Sequence, residues 1–416
     1  ARGSLQDLRN TSLQVELSRL SGSVGDVNIE IARPASITYE SETLEVNDFD
    51  VTLGSTRVKV NGALASEDDR SLTAQIAGNV EDFGNVINNV INPNSSLSAI
   101  TSSGTLSLLL TGTGKLDNID IVGNIDLARA EVALANMDPF TDISLSASIR
   151  DKTLFVEQIQ GHWAGATLEA STSVPFEVAF PSLPLTFQSL VSESNRSAHI
   201  HAEIQSLTPE ALANFVDSSV LSQITGKASL AIDLELPRPS WKDVHGSLTL
   251  TNAAFLIAGI PISQVRPTAI NLANGQATVE SFTWGNELDR INVDGVIGFE
   301  GTPTVNLGID GTFDLRAVSA FLPTVETSGT ARILAQISQE TDTSNIQGRI
   351  DLANAELRVE DPSIVVSGLD GTLALTGDTI AVETLRGNIN GGRFNVSGSW
   401  SFDGNRDTDT LSFTSE

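Results

Sequence analysis

Three windows of this sequence can be laid over one another: GNIDLARAEVAL from Gly123, GSLTLTNAAFLI from Gly246 and GRIDLANAELRV from Gly348. Each reads Gly-x-apolar-x-Leu-x-x-Ala-x-apolar, and repetition of this kind restricts a chain to folds built by adding one unit to the next. A second set follows downstream: TLFVEQIQGHWAGATLEAS from Thr153, QATVESFTWGNELDRINVDG from Gln276 and TIAVETLRGNINGGRFNVSG from Thr379, with an earlier copy, TLEVNDFDVTLGSTRVKVNG, from Thr43. These share apolar-x-Val-x-x-apolar, a Gly-containing turn and a further alternating stretch. A third set lies upstream of the first: SGTLSLLLTGTG from Ser103, TGKASLAIDLEL from Thr225 and SGTARILAQISQ from Ser328.

Inside the repeats apolar and polar residues alternate, as in Thr105-Leu106-Ser107-Leu108 and Arg393-Phe394-Asn395-Val396. Period two predicts strands with one apolar and one wet face. Thr376-Gly377-Asp378 and Asn390-Gly391-Gly392 punctuate the runs at hairpin distances. The alternation slips phase at the Asn/Arg-Ala step, from Ile350 and Leu352 to Leu357 and Val359, which predicts a bulge. Short helical signals separate the units. Phe83, Val86, Ile87, Val90 and Ile91 stop at Pro93; Thr208-Pro209-Glu210 precedes Leu212, Phe215 and Val216; Asp314 precedes Leu315, Val318, Phe321 and Leu322. Each is expected to cover an end or lip of the sheet.

The period, on the order of 100 to 120 residues, is too long for a solenoid coil or propeller blade and fits a sheet extended strand by strand. It divides the chain into residues 1–80, with a partial repeat, and units at 81–205, 206–313 and 314–416. About two dozen strands at a spacing of roughly 4.8 Å predict a ladder on the order of 100 Å long.

Charge excludes one class of partner. With 24 Lys and Arg against 52 Asp and Glu the net charge is -28, so nucleic acid would be repelled. The absence of cysteine removes disulfides, thiolate metal sites and thiol nucleophiles together. No apolar run is long enough for a spanning helix and the N-terminus lacks a signal h-region. The chain therefore reads as a segment of a longer protein, with any anchor outside it.

Individual candidates for chemistry are weak. His199-Ile200-His201 puts two imidazoles on one strand face, but only Glu203 is in phase, so surface histidines are expected. His162 and His245, read as lying in turns beside Trp163 and Trp241, have no triad partners. Gly112-Thr113-Gly114-Lys115 lacks P-loop spacing and reads as a hairpin turn. Asp403-Gly404-Asn405-Arg406-Asp407-Thr408-Asp409 alternates oxygen ligands, but Arg406 intervenes and no closing Glu follows. No catalytic residue, metal site or cofactor is expected, and the chain reads as a non-enzyme.

The strand patterns around Gly348-Arg349-Ile350-Asp351-Leu352-Ala353-Asn354-Ala355, Gly371-Thr372-Leu373-Ala374-Leu375, Ile380 to Leu385 and Gly391 to Gly398 resemble the TamB family and its AsmA-like relatives. In weaker form the resemblance covers most of residues 30–405. It implies a long, U-shaped, taco-like antiparallel β-groove built from repeats with a few short helices, an all-β fold. It also implies a periplasmic bridge that carries phospholipid between inner and outer membrane and supports outer-membrane biogenesis. A longer protein anchored in the inner membrane is implied, as is a partner of the outer-membrane assembly barrel class, met through parts outside this segment. The family's anchor and barrel-docking domain are not recognisable here.

Phospholipid acyl chains suit such a face. A sheet with one apolar side must bury it, and each CH₂ removed from water contributes about 0.8 kcal/mol. The expected groove lining is Leu106, Leu108, Ile125, Leu127, Leu154, Val156, Leu248, Leu250, Val279, Ile291, Val293, Leu352, Leu373, Leu375, Ile380, Val382, Phe394 and Val396. The alternatives are a sandwich or barrel core for these residues, and a surface β-solenoid adhesin or scaffold for the chain. A solenoid predicts coils of about 20 residues with stacked ladders, and none is visible.

Overall fold

The computed structural model describes residues 12–24, 27–40, 43–65, 70–82, 101–115, 118–133, 138–179, 196–212, 221–238, 240–257, 260–285, 289–299, 304–320, 324–340, 343–359, 363–401 and 410–415. The fold is all-β, with 83% of the described residues in strands against 5% helical. Every pairing described below is antiparallel. The chain divides into two compact units, Ala1–Ile204 with Glu235–Pro239, and Gln205–Leu234 with Ser240–Glu416.

The first unit begins with β1 (Leu13–Leu17), β2 (Ser21–Val24), β3 (Val27–Ile31), β4 (Ala35–Glu40), β5 (Thr43–Leu53), β6 (Thr56–Leu64) and β7 (Ser71–Asn79). It continues with β8 (Thr101–Lys115), β9 (Asn118–Ala133), β10 (Phe140–Arg150), β11 (Thr153–Trp163) and β12 (Ala166–Pro175), and most of β13 (Ala198–Leu207). From β5 to β12 each strand pairs with the next in sequence. The alternating sequence therefore becomes a meander with one apolar and one polar face.

The second unit contains most of β14 (Ile224–Leu236), then β15 (His245–Ile257), β16 (Ile260–Gln264), β17 (Thr268–Ala273), β18 (Gln276–Gly285), β19 (Arg290–Gly298) and β20 (Thr304–Asp314). It ends with β21 (Val325–Glu340), β22 (Thr343–Val359), β23 (Ile364–Thr376), β24 (Thr379–Ile389), β25 (Gly392–Ser401) and β26 (Thr410–Ser415). From β17 to β26 the same nearest-neighbour meander holds.

The sequence repeats are structural repeats. The strands β5, β11, β18 and β24 carry the Val-x-x-apolar motif, and each ladder slips register within it, between Val46 and Phe49, Val156 and Ile159, Val279 and Phe282, and Val382 and Leu385. The two intervening residues are a bulge, so both flanking apolar residues reach the same face. The Asn/Arg-Ala step is a second irregularity. Arg129, Asn252 and Asn354 have φ of 51°, 53° and 47°, and one long kinked strand runs on through each.

A glycine on the neighbouring strand faces each of these kinks. A Cβ on Gly104 would stand 2.7 Å from Ala130 Cα, and one on Gly329 would stand 2.6 Å from Ala355 Cα; Gly226 meets the facing strand two residues further along, at Ala254 O and Phe255 Cα. Ala130, Ala253 and Ala355 are all but fully buried there. The conserved spelling of the repeat, Gly on one strand and Ala on the next, is thus a site of close backbone approach.

One repeat feature escapes the sequence reading. β3 and β4 together occupy one edge of β5, and β16 and β17 together occupy one edge of β18. The breaks fall at Ala32-Arg33-Pro34 and Val265-Arg266-Pro267. Proline cannot donate to a ladder, but the preceding chain keeps one bond at each corner: Ala32 N–H to Asp50 O at 2.9 Å and Val265 N–H to Thr283 O at 3.0 Å. The corner arginines stay close, with Arg33 at 3.2 Å from Asp48 and Arg266 Nε donating to Thr283 Oγ1 at 3.2 Å. In β10 and β23 the equivalent bend is a bulge around Asp142 and Gly368, both at positive φ.

Of the helical signals, 3₁₀ turns form at Pro209–Leu212 and Leu315–Ala320. The stretch from Phe83 to Ile91 lies outside the described residues, as do Phe215 and Val216. Asp314 caps the second turn by accepting from Arg316 N–H at 2.8 Å. Thr327, on the apolar side of β21, donates to Leu315 O at 2.5 Å, and its own N–H bonds Ser319 Oγ at 2.8 Å. This turn therefore sits over one lip of the sheet.

Candidate functional site: an accessible apolar sheet face

Residues directly opposite in an antiparallel ladder share a face, so the register gives the site directly. In the second unit one row runs Trp284, Ile291, Gly311, Ile333, Ile350, Leu373, Val382, Gly398 across eight strands. The next row runs Val293, Ile309, Ala335, Gly348, Leu375, Ile380, Trp400. In the first unit Ile31, Val51, Val58, Ile76, Leu108, Ile125, Ala147, Val156 and Thr172 form one row across nine strands.

All the expected lining residues fall on the apolar face of their own unit. Leu106 stands opposite Leu127, and Leu154 opposite Ile149. Leu248 and Val279 both oppose Ile270, while Leu250 opposes Thr268. Leu352 opposes Ala331, Val396 opposes Leu385 and Phe394 opposes Gly387. The reading missed Ile76 and Ile309, which lie outside the repeating windows, and also Ile333 and Ile350, which lie inside them.

The opposite face is mainly polar, with exposed Leu109, Val122, Leu334 and Val365 scattered over it. In the second unit Thr312, Arg332, Asp351, Thr372 and Thr384 stand in one row. Thr372 Oγ1 donates to Asp351 Oδ1 at 2.7 Å, and Arg349 Nε donates to the same carboxylate at 2.8 Å. These contacts, the Thr372 hydroxyl first, hold the Asp351 carboxyl below its ordinary pKa.

Burial distinguishes an open face from a sealed core. Leucine, isoleucine and valine in a dry two-layer core are usually fully buried. Here sixteen of the eighteen lining residues are half-buried, and only Val156 and Phe394 are buried. On the same face Trp400 is 49% and Phe413 55% exposed. A closed cluster occurs at the N-terminal strands, where Val27, Ile31, Ala35, Val51 and Leu53 pack with Leu17, Ile29, Phe49 and Val58.

Aromatic pairs interrupt the aliphatic surface at corresponding ends of the repeats. Phe140 stacks on Trp163 at 5.8 Å, Trp284 lies between Phe255 at 5.7 Å and Phe282 at 5.3 Å, and Phe394 stacks on Phe413 at 5.8 Å. Thr268 anchors Trp284: the indole N–H donates to Thr268 Oγ1 at 3.0 Å, and Gln264 Nε2 donates there at 3.0 Å and to Leu250 O at 2.7 Å. The buried Nε1 of Trp163 has no acceptor among the described residues.

The residues set aside as chemistry remain apart. His199 and His201 are exposed on β13, with His201 at 4.0 Å from Glu203. His162 and His245 are exposed in strands β11 and β15, not in turns. Gly112 to Lys115 close strand β8, so they do not form the hairpin turn expected there. The Asp403 to Asp409 stretch lies outside the described residues. No group of three or more metal-ligating side chains occurs among the described residues, and none of their helices is long and apolar enough to cross a membrane.

Fold and site define a repeat-built, antiparallel all-β protein, each of whose two units presents an apolar sheet face that is in part only half withdrawn from water. No family model, curated protein or solved structure matches the chain.

Proposed function

We propose that this apolar face is a groove for phospholipid acyl chains, and that the chain is part of a TamB-like, bridge-type conduit carrying lipid through the periplasm between inner and outer membrane. The observation that carries the reading is that sixteen of the eighteen expected lining residues stay half-buried, although they stand beside other apolar residues in cross-strand rows. Such a face gains free energy from any flexible apolar occupant, about 0.8 kcal/mol for each CH₂ withdrawn from water. It offers many near-equivalent positions rather than one deep well, which suits movement along it.

The acidic polar face keeps such a molecule soluble and repels nucleic acid. Anchorage in the inner membrane and docking to an outer-membrane assembly barrel belong, on this reading, to other parts of a longer protein. The chain performs no reaction. Native mass spectrometry of the purified chain should show co-purified phospholipid. A lipid-free chain that also fails to take up a fluorescent phospholipid overturns the proposal.

A further inference from the structure

The polar face of the first unit holds a cleft of about 350 Å³ that has no part in the lipid reading. Phe155 of β11, Ser173 of β12, Arg196 and Ser197 just before β13, His199 within it and Glu235 of β14 line the cleft, and all belong to that unit. It lies opposite the apolar rows, because Phe155 pairs with Ser173 between the apolar-face pairs Leu154–Val174 and Val156–Thr172.

The walls of the cleft are fixed from outside it. The carbonyl of Asp151, in the turn between β10 and β11, accepts from Arg196 Nη2 at 2.8 Å and from Thr153 Oγ1 at 3.2 Å. The Arg150 guanidinium lies 4.0 Å from the centre of the Phe155 ring and is itself held by Ser148, whose Oγ accepts from its Nη1 at 2.7 Å. Four polar side chains of the cleft are left open. Those of Ser173, Ser197, His199 and Glu235 make no hydrogen bond or ion pair among the described residues.

We propose that this cleft is a carbohydrate site, seating a sugar ring against Phe155 with its hydroxyls on those four side chains. The carboxylate of Glu235 only accepts, while the two serine hydroxyls and a neutral imidazole both donate and accept. A ligand whose every polar group also does both can satisfy them together, and sugar hydroxyls are such groups. A charged ligand fits less well, because Arg196 and Glu235 share the cleft and either sign of charge meets a like group. The volume suits a ligand of one or two rings, at the small end of the range of about 300–1,000 Å³ for ligand clefts. The site is independent of the lipid groove, which uses the other face.

Saturation-transfer NMR on the whole chain tests the proposal, with methyl glucoside as a free sugar and chitotetraose as a glycan chain. Transfer to the ring protons of at least one probe is expected, and the tighter of the two shows whether free sugar or glycan is the source. Its Kd should rise about three- to tenfold in E235A and in H199A, the scale of one lost hydrogen bond. E169Q, further along β12 and outside the cleft, should leave Kd unchanged. Glu235 and His199 are both exposed, so circular dichroism should show both variants folded like the parent. Absence of transfer to either probe overturns the proposal, as does a Kd that neither E235A nor H199A changes.

Discussion

At the scale of single residues, Gly329 is held by two constraints at once. Its φ is 101°, and an added Cβ would meet Ala355 Cα at 2.6 Å and Asn354 O at 2.7 Å. Gly329→Ala should therefore cost at least about 2–3 kcal/mol. Gly377, with φ of 63° and open space around it, should lose only about 1–2 kcal/mol on the same change. Urea denaturation of both variants separates the two causes. A second contrast concerns indole donors. Trp163→Phe removes a donor with no described acceptor, so its stability should stay within about 1 kcal/mol of the parent. Thr268→Val strands the Trp284 and Gln264 donors and should cost about 1–3 kcal/mol.

Asp50 supplies a pH dependence. Arg57 Nε and Nη2 donate to its carboxylate at 2.7 and 2.6 Å, and these bonds hold its pKa below the usual range. The fold therefore favours the charged form, and this stabilisation is complete above the unfolded value of about 3.9 and lost as pH falls through the lower folded one. The stability gap between parent and Asp50→Asn should be open at pH 6 and close towards pH 2. A gap independent of pH in denaturant titrations would assign the pair a purely steric role.

At the scale of elements, the hydroxyls of Thr327 and Ser319 tie the 3₁₀ turn Leu315–Ala320 to the lip of β21. Ser319→Ala should loosen that turn without unfolding the sheet. The expected reading is faster amide exchange confined to residues around 315–320 and at Thr327, with β22 and β23 unchanged. Element-level features were unevenly legible in the sequence. The kink at Asn354-Ala355 could be read because it shifts the phase of alternation. The bulge in Val382-Glu383-Thr384-Leu385 was visible as a shared spacing, yet apolar-x-x-apolar also fits a turn of helix, and only pairing decides. The Arg-Pro corners at Pro34 and Pro267 went unread because the other two repeats bend with Asp142 and Gly368 instead, so no common residue marks the position.

At the scale of the whole molecule, the fold class and the apolar face follow from alternation alone, since a period of two leaves each side chain one choice of face. The polar-face cleft at Phe155 was not legible, because it depends on which strands lie side by side and on the Asp151 carbonyl holding Arg196. Val382→Asp and Leu375→Glu place a carboxylate in neighbouring rows of the apolar face. On an open face both side chains can reach water, so circular dichroism and the unfolding midpoint should change little while bound phospholipid falls several-fold. Global unfolding would instead reveal a dry core, where an unpaired carboxylate is costly.

The pairing of a positive-φ Asn or Arg step with a facing glycine marks the same point in two repeats, at Gly104 and Gly329, and Gly226 holds the aligned position in the sequence of the repeat between them. Two copies of one join can be exchanged without disturbing which side chains face inward. Joining Thr225 directly to Gly329 would excise one complete period and leave alternation in phase on both sides of the seam. Length in this architecture is therefore an inheritable variable, adjustable by duplication or loss in steps of a few strands, each worth roughly 4.8 Å of ladder.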